Sequence, residues 1–308
     1  MSNATPFITQ RTIAHPVSMT GVGLHSGLPV HLTIRPADID EGICFIRTDK
    51  PDAPPIPARA DLVTDTVMSS NLTIGDIKIG TVEHLLSALA GLGIDNAIIE
   101  VDASEIPIMD GSASVYTQKL LEVGIVEQSA TKTFLKILKP VRVEQGDKWA
   151  ELLPFDGFRM TFDIEFNHPA ISKDTQHFSF DLSTKNFIEH IAKARTFGFM
   201  SDIEALKANG LAQGGSLDNA IVLDEQKIMN DEPLRYKDEF VRHKVLDAIG
   251  DLYLIGYPII GEFRAFKSGH ALNNDLVRTI QADLSAFEIV TKYDKVTPVI
   301  DYGIKNFS

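Results

Sequence analysis

Leu86-Ser-Ala-Leu-Ala-Gly-Leu92 and Leu246-Asp-Ala-Ile-Gly-Asp-Leu252 lie 160 positions apart and align without a gap. In the earlier copy Val82, Leu85, Leu86, Leu89 and Leu92 recur at i, i+3, i+4, i+7 and i+10, which puts one apolar stripe on a helix. Thr81 is its expected N-cap, and Gly91 and Gly93 supply the stop. The later copy predicts a helix over about 239–254, with Val241, Val245, Ala248, Ile249 and Leu252 on one side. Downstream, Ala97-Ile-Ile-Glu-Val101 roughly matches Ile259-Ile-Gly-Glu-Phe263. Taken together, the two stretches read as two copies of one β-α unit. Glu83-His84 and His243-Lys244 then hold matching places on their helices, and a two-fold-like packing brings them together.

Around these helices the chain alternates strand and helix patterns. Strands are expected at Arg11–Val17, Pro29–Ile34, Cys44–Arg47, Ala97–Asp102, Phe134–Glu144, Trp149–Leu153 and Arg159–Phe166, and helices near Ser114–Val123 and Ser183–Ala194. The polar piece Glu127–Thr133 marks the expected boundary between a domain over 1–130 and a second over 131–308.

Composition narrows the class. The 308 residues are 44% hydrophobic and 23% charged, enough apolar mass for a real core. The longest nearly apolar run, Leu252–Gly261, contains Pro258 and falls far short of the ~20 residues a membrane span needs. No basic stretch followed by an apolar core opens the chain, and Cys44 is a lone thiol, so a cytoplasmic protein without a disulfide framework is expected. A formal charge of −13 argues against broad nucleic-acid binding, which rests on neutralising many phosphates. It leaves room for one phosphorylated ligand.

Chemistry concentrates on the two helices. His243, Asp247 and Asp251, spaced by four, form a polar row, and a His with a carboxylate at i, i+4 presents two ligand atoms to one divalent ion. A solvated face carrying an ordinary His/Asp pair is the competing reading. A hydrolytic zinc site takes three protein ligands and leaves a position for water. His84 is the candidate third, because a helix N-terminus disfavours imidazolium and keeps a lone pair free. Glu83 beside it is placed to take a proton from water, and Lys244 offers a cation to a developing oxyanion. Lys267-Ser-Gly-His270 ends in an imidazole able to protonate a leaving group, with Asp251 to orient it. His25 sits in a glycine-rich loop that lets backbone approach a ligand. No P-loop, nucleophile elbow or dinucleotide fingerprint occurs.

Eight motifs in series carry a resemblance: Gly23-Leu-His-Ser-Gly27, Thr81-Val-Glu-His-Leu85, Gly91-Leu-Gly-Ile-Asp-Asn96, Ile106-Pro-Ile-Met-Asp-Gly-Ser112, Ala194-Arg-Thr-Phe-Gly-Phe199, Ser216-Leu-Asp-Asn-Ala220, His243-Lys-x-x-Asp247 and Lys267-Ser-Gly-His-Ala-Leu-Asn-Asn274. In order and spacing they resemble the UDP-3-O-acyl-N-acetylglucosamine deacetylases of bacterial lipid A synthesis, over nearly the whole chain. The resemblance implies an α+β fold of two similar β-α-α-β layered sandwich domains packed face to face, each with an insert, and an active site in the cleft between them. It implies one catalytic Zn2+ on His84, His243 and Asp247, with Glu83 as general base. His270 is implied as cation and general acid, Asp251 as its partner, and Lys244 and Thr196 as oxyanion stabilisers.

The same resemblance implies a substrate that is a nucleotide sugar acylated at its 3-oxygen, from whose 2-nitrogen acetate is removed. An insert over about 197–222 is implied to form an apolar passage for the acyl chain, lined from Phe197 by Met200, Ile203, Leu206, Ala212, Ser216 and Val222. Each buried methylene contributes about 0.8 kcal/mol there. Lys148, Phe166 and Lys267 match positions linked to the nucleotide and diphosphate. A monomer is expected. Where many relatives carry a cysteine near the metal, Ser69 stands here, and the His/His/Asp set accepts iron as well as zinc. The alternative from another class is a non-catalytic sensor of an acylated nucleotide sugar.

Overall fold

A computed structural model of the chain describes residues 8–291 and 300–303. The fold is α+β, with several sheets and, among the described residues, six α-helices: α1 (Glu83–Gly91), α2 (Ser114–Val123), α3 (Thr184–His190), α4 (Met200–Ala208), α5 (Glu239–Tyr253) and α6 (His270–Ala282). No helix among them is long and apolar enough to cross a membrane.

The internal repeat seen in the helices extends to the sheets. In the first half the strands run in the order Val17–Val22, Pro29–Pro36, Ala97–Val101, Ile43–Arg47, Ile56–Pro57. The central Ala97–Val101 is antiparallel to Pro29–Pro36 and parallel to Ile43–Arg47. In the second half, Val141–Gln145 pairs with Lys148–Leu153, which pairs with Ile259–Phe266. That central strand is parallel to Phe158–Asp163, itself antiparallel to His177–Asp181. The two sheets thus share order and direction, each with one helix before its central strand (α1, α5) and one after it (α2, α6). The second sheet adds Phe134–Ile137 and Phe287–Val290 at its side.

Each half carries an insert. Val63–Asp65, Asn71–Ile74 and Ile77–Ile79 make a small antiparallel sheet in the first. In the second, Phe197–Phe199 and Ile221–Leu223 pair in parallel around α4.

The halves meet through α1 and α5. Their axes come so close at Gly250 that a Cβ there would lie 2.0 Å from the Glu83 carbonyl oxygen. Every residue of α1 is buried, and so are twelve of the fifteen in α5. The single-stripe reading of these helices is therefore corrected: α1 is enclosed all round and α5 nearly so, because its polar row meets His84 of α1 and His270 and Asn273 of α6 rather than solvent.

Other local expectations shift for identifiable reasons. The expected strand Arg11–Val17 is split into Thr9–Ile13 and Val17–Val22 around His15-Pro16. Phe134–Glu144 breaks at Pro140, since proline cannot donate to a ladder. The polar piece at 127–133 falls largely within the strand Ile125–Thr131, antiparallel to Thr9–Ile13. The helix expected at Ser183–Ala194 is shorter, α3, with the Ser183 hydroxyl accepting from the Asn186 amide as a true N-cap. Thr81 does not cap α1. Val82 holds that place, Thr81 has φ +58°, and its hydroxyl is taken by Glu105.

Candidate metal centre and active site

At the α1–α5 crossing, His84 leaves the first turn of α1 while His243 and Asp247 leave successive turns of α5. One donor atom from each lies within 4.8 Å of the others. His84 Nε2 is 3.4 Å and His243 Nε2 3.3 Å from the same Asp247 Oδ1. Bonds of about 2.0–2.1 Å in tetrahedral directions put ligand atoms roughly 3.3 Å apart, which the two nitrogen–oxygen separations match, so the set could hold a small divalent ion. His243 Nδ1 lies 3.0 Å from the Ala194 carbonyl, which selects the tautomer that leaves Nε2 free to ligate. Burial lowers the His243 imidazole to about 4, keeping it neutral. Burial opposes the charge on Asp247, but its charged and hydrogen-bonding neighbours, the Lys244 ammonium among them, hold its carboxyl well below the usual range. All three residues are buried, so the alternative of a solvated His/Asp face is set aside.

Glu83, 3% exposed, faces this group. Its Oε2 accepts from the Ser70 amide at 3.0 Å, and its Oε1 lies 3.9 Å from His270 Nε2. Burial raises its carboxyl above the ordinary range, with His270 and His84 working the other way. That direction suits a base that takes up a proton. The other face of His270 is fixed by Asp251, whose Oδ2 lies 2.9 Å from Nδ1. Burial works against the imidazolium, yet Asp251 and Glu83 outweigh it and raise His270 to about 9. Asp251 is itself held by the Ser70 hydroxyl at 2.6 Å and by Asn273 Nδ2 at 2.9 Å. Two imidazole nitrogens, the Asp247 carboxylate, the Glu83 carboxyl group and the His270 imidazolium thus border one cavity, a set able to hold an ion and to exchange protons beside it.

The family model for LpxC, UDP-3-O-acyl N-acetylglycosamine deacetylase, matches residues 10–282. The chain belongs to the LpxC family. A UDP-3-O-acyl-N-acetylglucosamine deacetylase of Psychrobacter sp. (strain PRwf-1) is 63% identical over 295 residues, covering 96% of this chain and 99% of the relative. The protein of the same name from Psychrobacter arcticus is 60% identical, with 96% of this chain and 92% of the relative covered. That from Shewanella halifaxensis is also 60% identical, over 96% and 97%.

In this LpxC-family chain the remaining expected site residues fall in two adjoining cavities. One, of about 430 Å³, is lined by Glu83, His84, His243, Lys244, Asp247 and His270 together with Thr196, Phe197, Lys148, Phe166 and Lys267. The other, of about 270 Å³, is lined by Phe197, Met200, Ile203, Leu206, Ala212, Ser216, Val222 and His25. Phe197, Ile203 and Leu206 belong to both, so the spaces join. Phe166 packs edge-on against Phe197, with ring centroids 5.5 Å apart.

Three placements qualify the expectations for this LpxC-family site. Lys244 Nζ donates to Asp247 Oδ2 at 2.9 Å, so it already serves a ligand carboxylate. Lys267 Nζ is paired with Asp147 at 2.7 Å and with Glu165. Ser69 lines a neighbouring cavity of about 280 Å³ rather than the central one, with its hydroxyl accepting from Asn71 Nδ2.

Sequence reasoning missed Ser70 and Asn273, which hold Glu83 and Asp251, and the buried pair of Glu239 with Arg195, the neighbour of Thr196 in the chain, at 2.9 Å. The signals available were the polar run Ser69-Ser70-Asn71 within a strand-rich segment and the amides following His270.

Proposed function

We propose that this chain is a zinc-dependent deacetylase that hydrolyses UDP-3-O-acyl-N-acetylglucosamine to UDP-3-O-acyl-glucosamine and acetate, in lipid A biosynthesis. The observation that carries the reading is the convergence of His84, His243 and Asp247, from two remote helices, on one point beside Glu83 and His270. The relatives matched over nearly their whole length, which bear that activity in their names, support it.

His84, His243 and Asp247 would hold the ion. Bound there, zinc acts as a Lewis acid and makes water acidic enough to be activated near neutral pH. Glu83 takes a proton from the attacking water. Lys244 and the Thr196 hydroxyl stabilise the oxygen of the amide carbonyl as it gains charge. His270, held as imidazolium by Asp251, gives its proton to the departing sugar nitrogen. The apolar cavity under α4 takes the acyl chain, while Lys148, Phe166 and Lys267 meet the nucleotide and its diphosphate. In this reading residues 1–130 and 131–308 are two domains, each supplying one wall of the site.

The test is acetate release from the acylated nucleotide sugar by zinc-loaded protein, with Glu83→Gln as control. Turnover that disappears in the variant while one metal per chain is retained supports the reading. Tight binding of the sugar without acetate release replaces it with a non-catalytic sensor.

A further inference from the structure

Glu105 is a buried carboxylate, 4% exposed, that the reaction outlined above does not use. Removing a carboxylate from water is costly unless its oxygens are matched by donors, so such a group needs a reason to be there. Its donors come from two separate parts of the chain. The amides of His25 and Ser26 donate to Oε1 and Oε2, each at 2.9 Å, and the Thr81 hydroxyl donates to Oε1 at 3.0 Å. Backbone bonds fix the carboxylate's own position, since the Gly80 amide donates to the Ser104 carbonyl and the Ile106 amide to the Gly80 carbonyl, both at 2.9 Å.

Each arm leads to one side of the site. Thr81 is a β-branched residue at φ +58°, a conformation that costs energy and persists only where surroundings enforce it. Two and three residues later come Glu83 and His84. On the other arm, the carbonyls of Leu24 and His25 accept from the amides of Gly214 and Gln213 at 3.0 and 3.2 Å. Leu24 and His25 line the apolar cavity along with Ala212, Gly215 and Ser216. The fit leaves no slack: a Cβ at Gly23 would lie 2.4 Å from Glu105 Oε2, and one at Gly214 would lie 2.2 Å from the Gly23 carbonyl oxygen.

We infer that Glu105 is a positioning residue that ties the rim of the apolar cavity to the strained turn from which Glu83 and His84 project. Occupancy of that cavity by an acyl chain is thereby felt at the base and at one metal ligand. Binding energy from a remote part of a substrate then serves the reacting centre. This step rests on the deacetylase reading only for the identity of the substrate; the tie itself concerns the metal site.

Glu105→Gln keeps the shape but sets an amide NH2 against a backbone N–H on one arm, and Thr81→Val removes the hydroxyl of the other. Both should lower kcat by roughly ten- to a hundredfold, the scale of a misplacement of about 1 Å or less, with KM changed far less. Both should also alter the visible spectrum of the cobalt(II)-loaded protein at one metal per chain. The double variant should be no worse than the more damaging single, because one tie is cut twice. A lowered melting temperature with wild-type kcat and cobalt spectrum, or additive losses in the double variant, would overturn the inference. If Glu105→Gln does not fold, Thr81→Val read against Thr81→Ser, which retains the hydroxyl, separates the same two outcomes. Should the wild-type protein release no acetate, the functional reading fails, and the cobalt spectra still decide whether Glu105 sets the metal geometry.

Discussion

Two of the clusters of buried charge among the described residues are built to opposite ends. In one, Lys132, 1% exposed, sends its ammonium to the Gly93 carbonyl at 2.9 Å and to both oxygens of Asp95, and stands 4.8 Å from the centre of the Tyr302 ring. The Asp95 carboxylate also accepts from the Arg11 amide at 2.7 Å, and Arg11 Nη1 donates to the Tyr302 carbonyl at 2.5 Å. Every strong group there has a partner. In the other, at the α1–α5 crossing, ring nitrogens and carboxylate oxygens of His84, His243, Asp247 and Glu83 are turned toward a common cavity. A satisfied cluster locks segments of chain together, whereas one that keeps its lone pairs aimed at open space is prepared for something else. Burial alone does not separate function from structure; the direction of the unused valences does.

Substitutions can break this contrast, starting where the largest effect is expected. Glu83→Gln should lower kcat by about a hundredfold or more without loss of metal or stability, measured by acetate release and metal analysis. His84→Ala should abolish stoichiometric metal binding. The same kind of loss at the satisfied cluster should appear in stability instead. Lys132→Met should cost about 3–5 kcal/mol in denaturant unfolding, because it leaves the Asp95 charge buried with its main partner gone. Burial raises Asp95 and lowers Lys132 in spite of their contact, so desolvation weighs more than their attraction. Lys132→Met with Asp95→Asn should therefore recover most of the loss.

A smaller effect sharpens the contrast from the acid side. His270, raised from 6.5 to about 9, keeps its proton well past neutrality. Its share of stability is full below the unfolded value near 6.5 and is lost as pH rises through about 9. NMR titration of the metal-free protein should find a midpoint near 9, and Asp251→Asn should bring it down. A midpoint at the ordinary histidine value would show that the Asp251 contact does not govern the imidazole. The smallest change is expected under α4: Ile203→Ala should weaken binding of a long-chain substrate by about 1–3 kcal/mol and leave a short-chain analogue nearly unaffected.

Much of the site is legible in the chain because its residues are paired locally. His243 and Asp247 stand one turn apart, so helix geometry alone puts them on one face, and Glu83 adjoins His84 at the start of the other helix. The repeat of the apolar pattern likewise carries the duplication, and the strand orders of the two halves agree with it. What local pattern misreads is Thr81. By type and position it looks like an N-cap, and only the arrival of Glu105, 24 residues further on, turns its hydroxyl elsewhere. Ser70 and Asn273 are illegible for the same reason: small polar residues gain a role only from what packs against them.

The sequence by itself determined the two helices, their strands, and which imidazoles and carboxylates each helix would present, because those depend on spacing along a regular backbone. Tertiary structure alone decided that the helices cross at Gly250, where the lack of a side chain lets α5 reach the Glu83 carbonyl. That close approach brings donor atoms from residues far apart in the chain within 4.8 Å of one another, and no local rule of the backbone specifies such a distance.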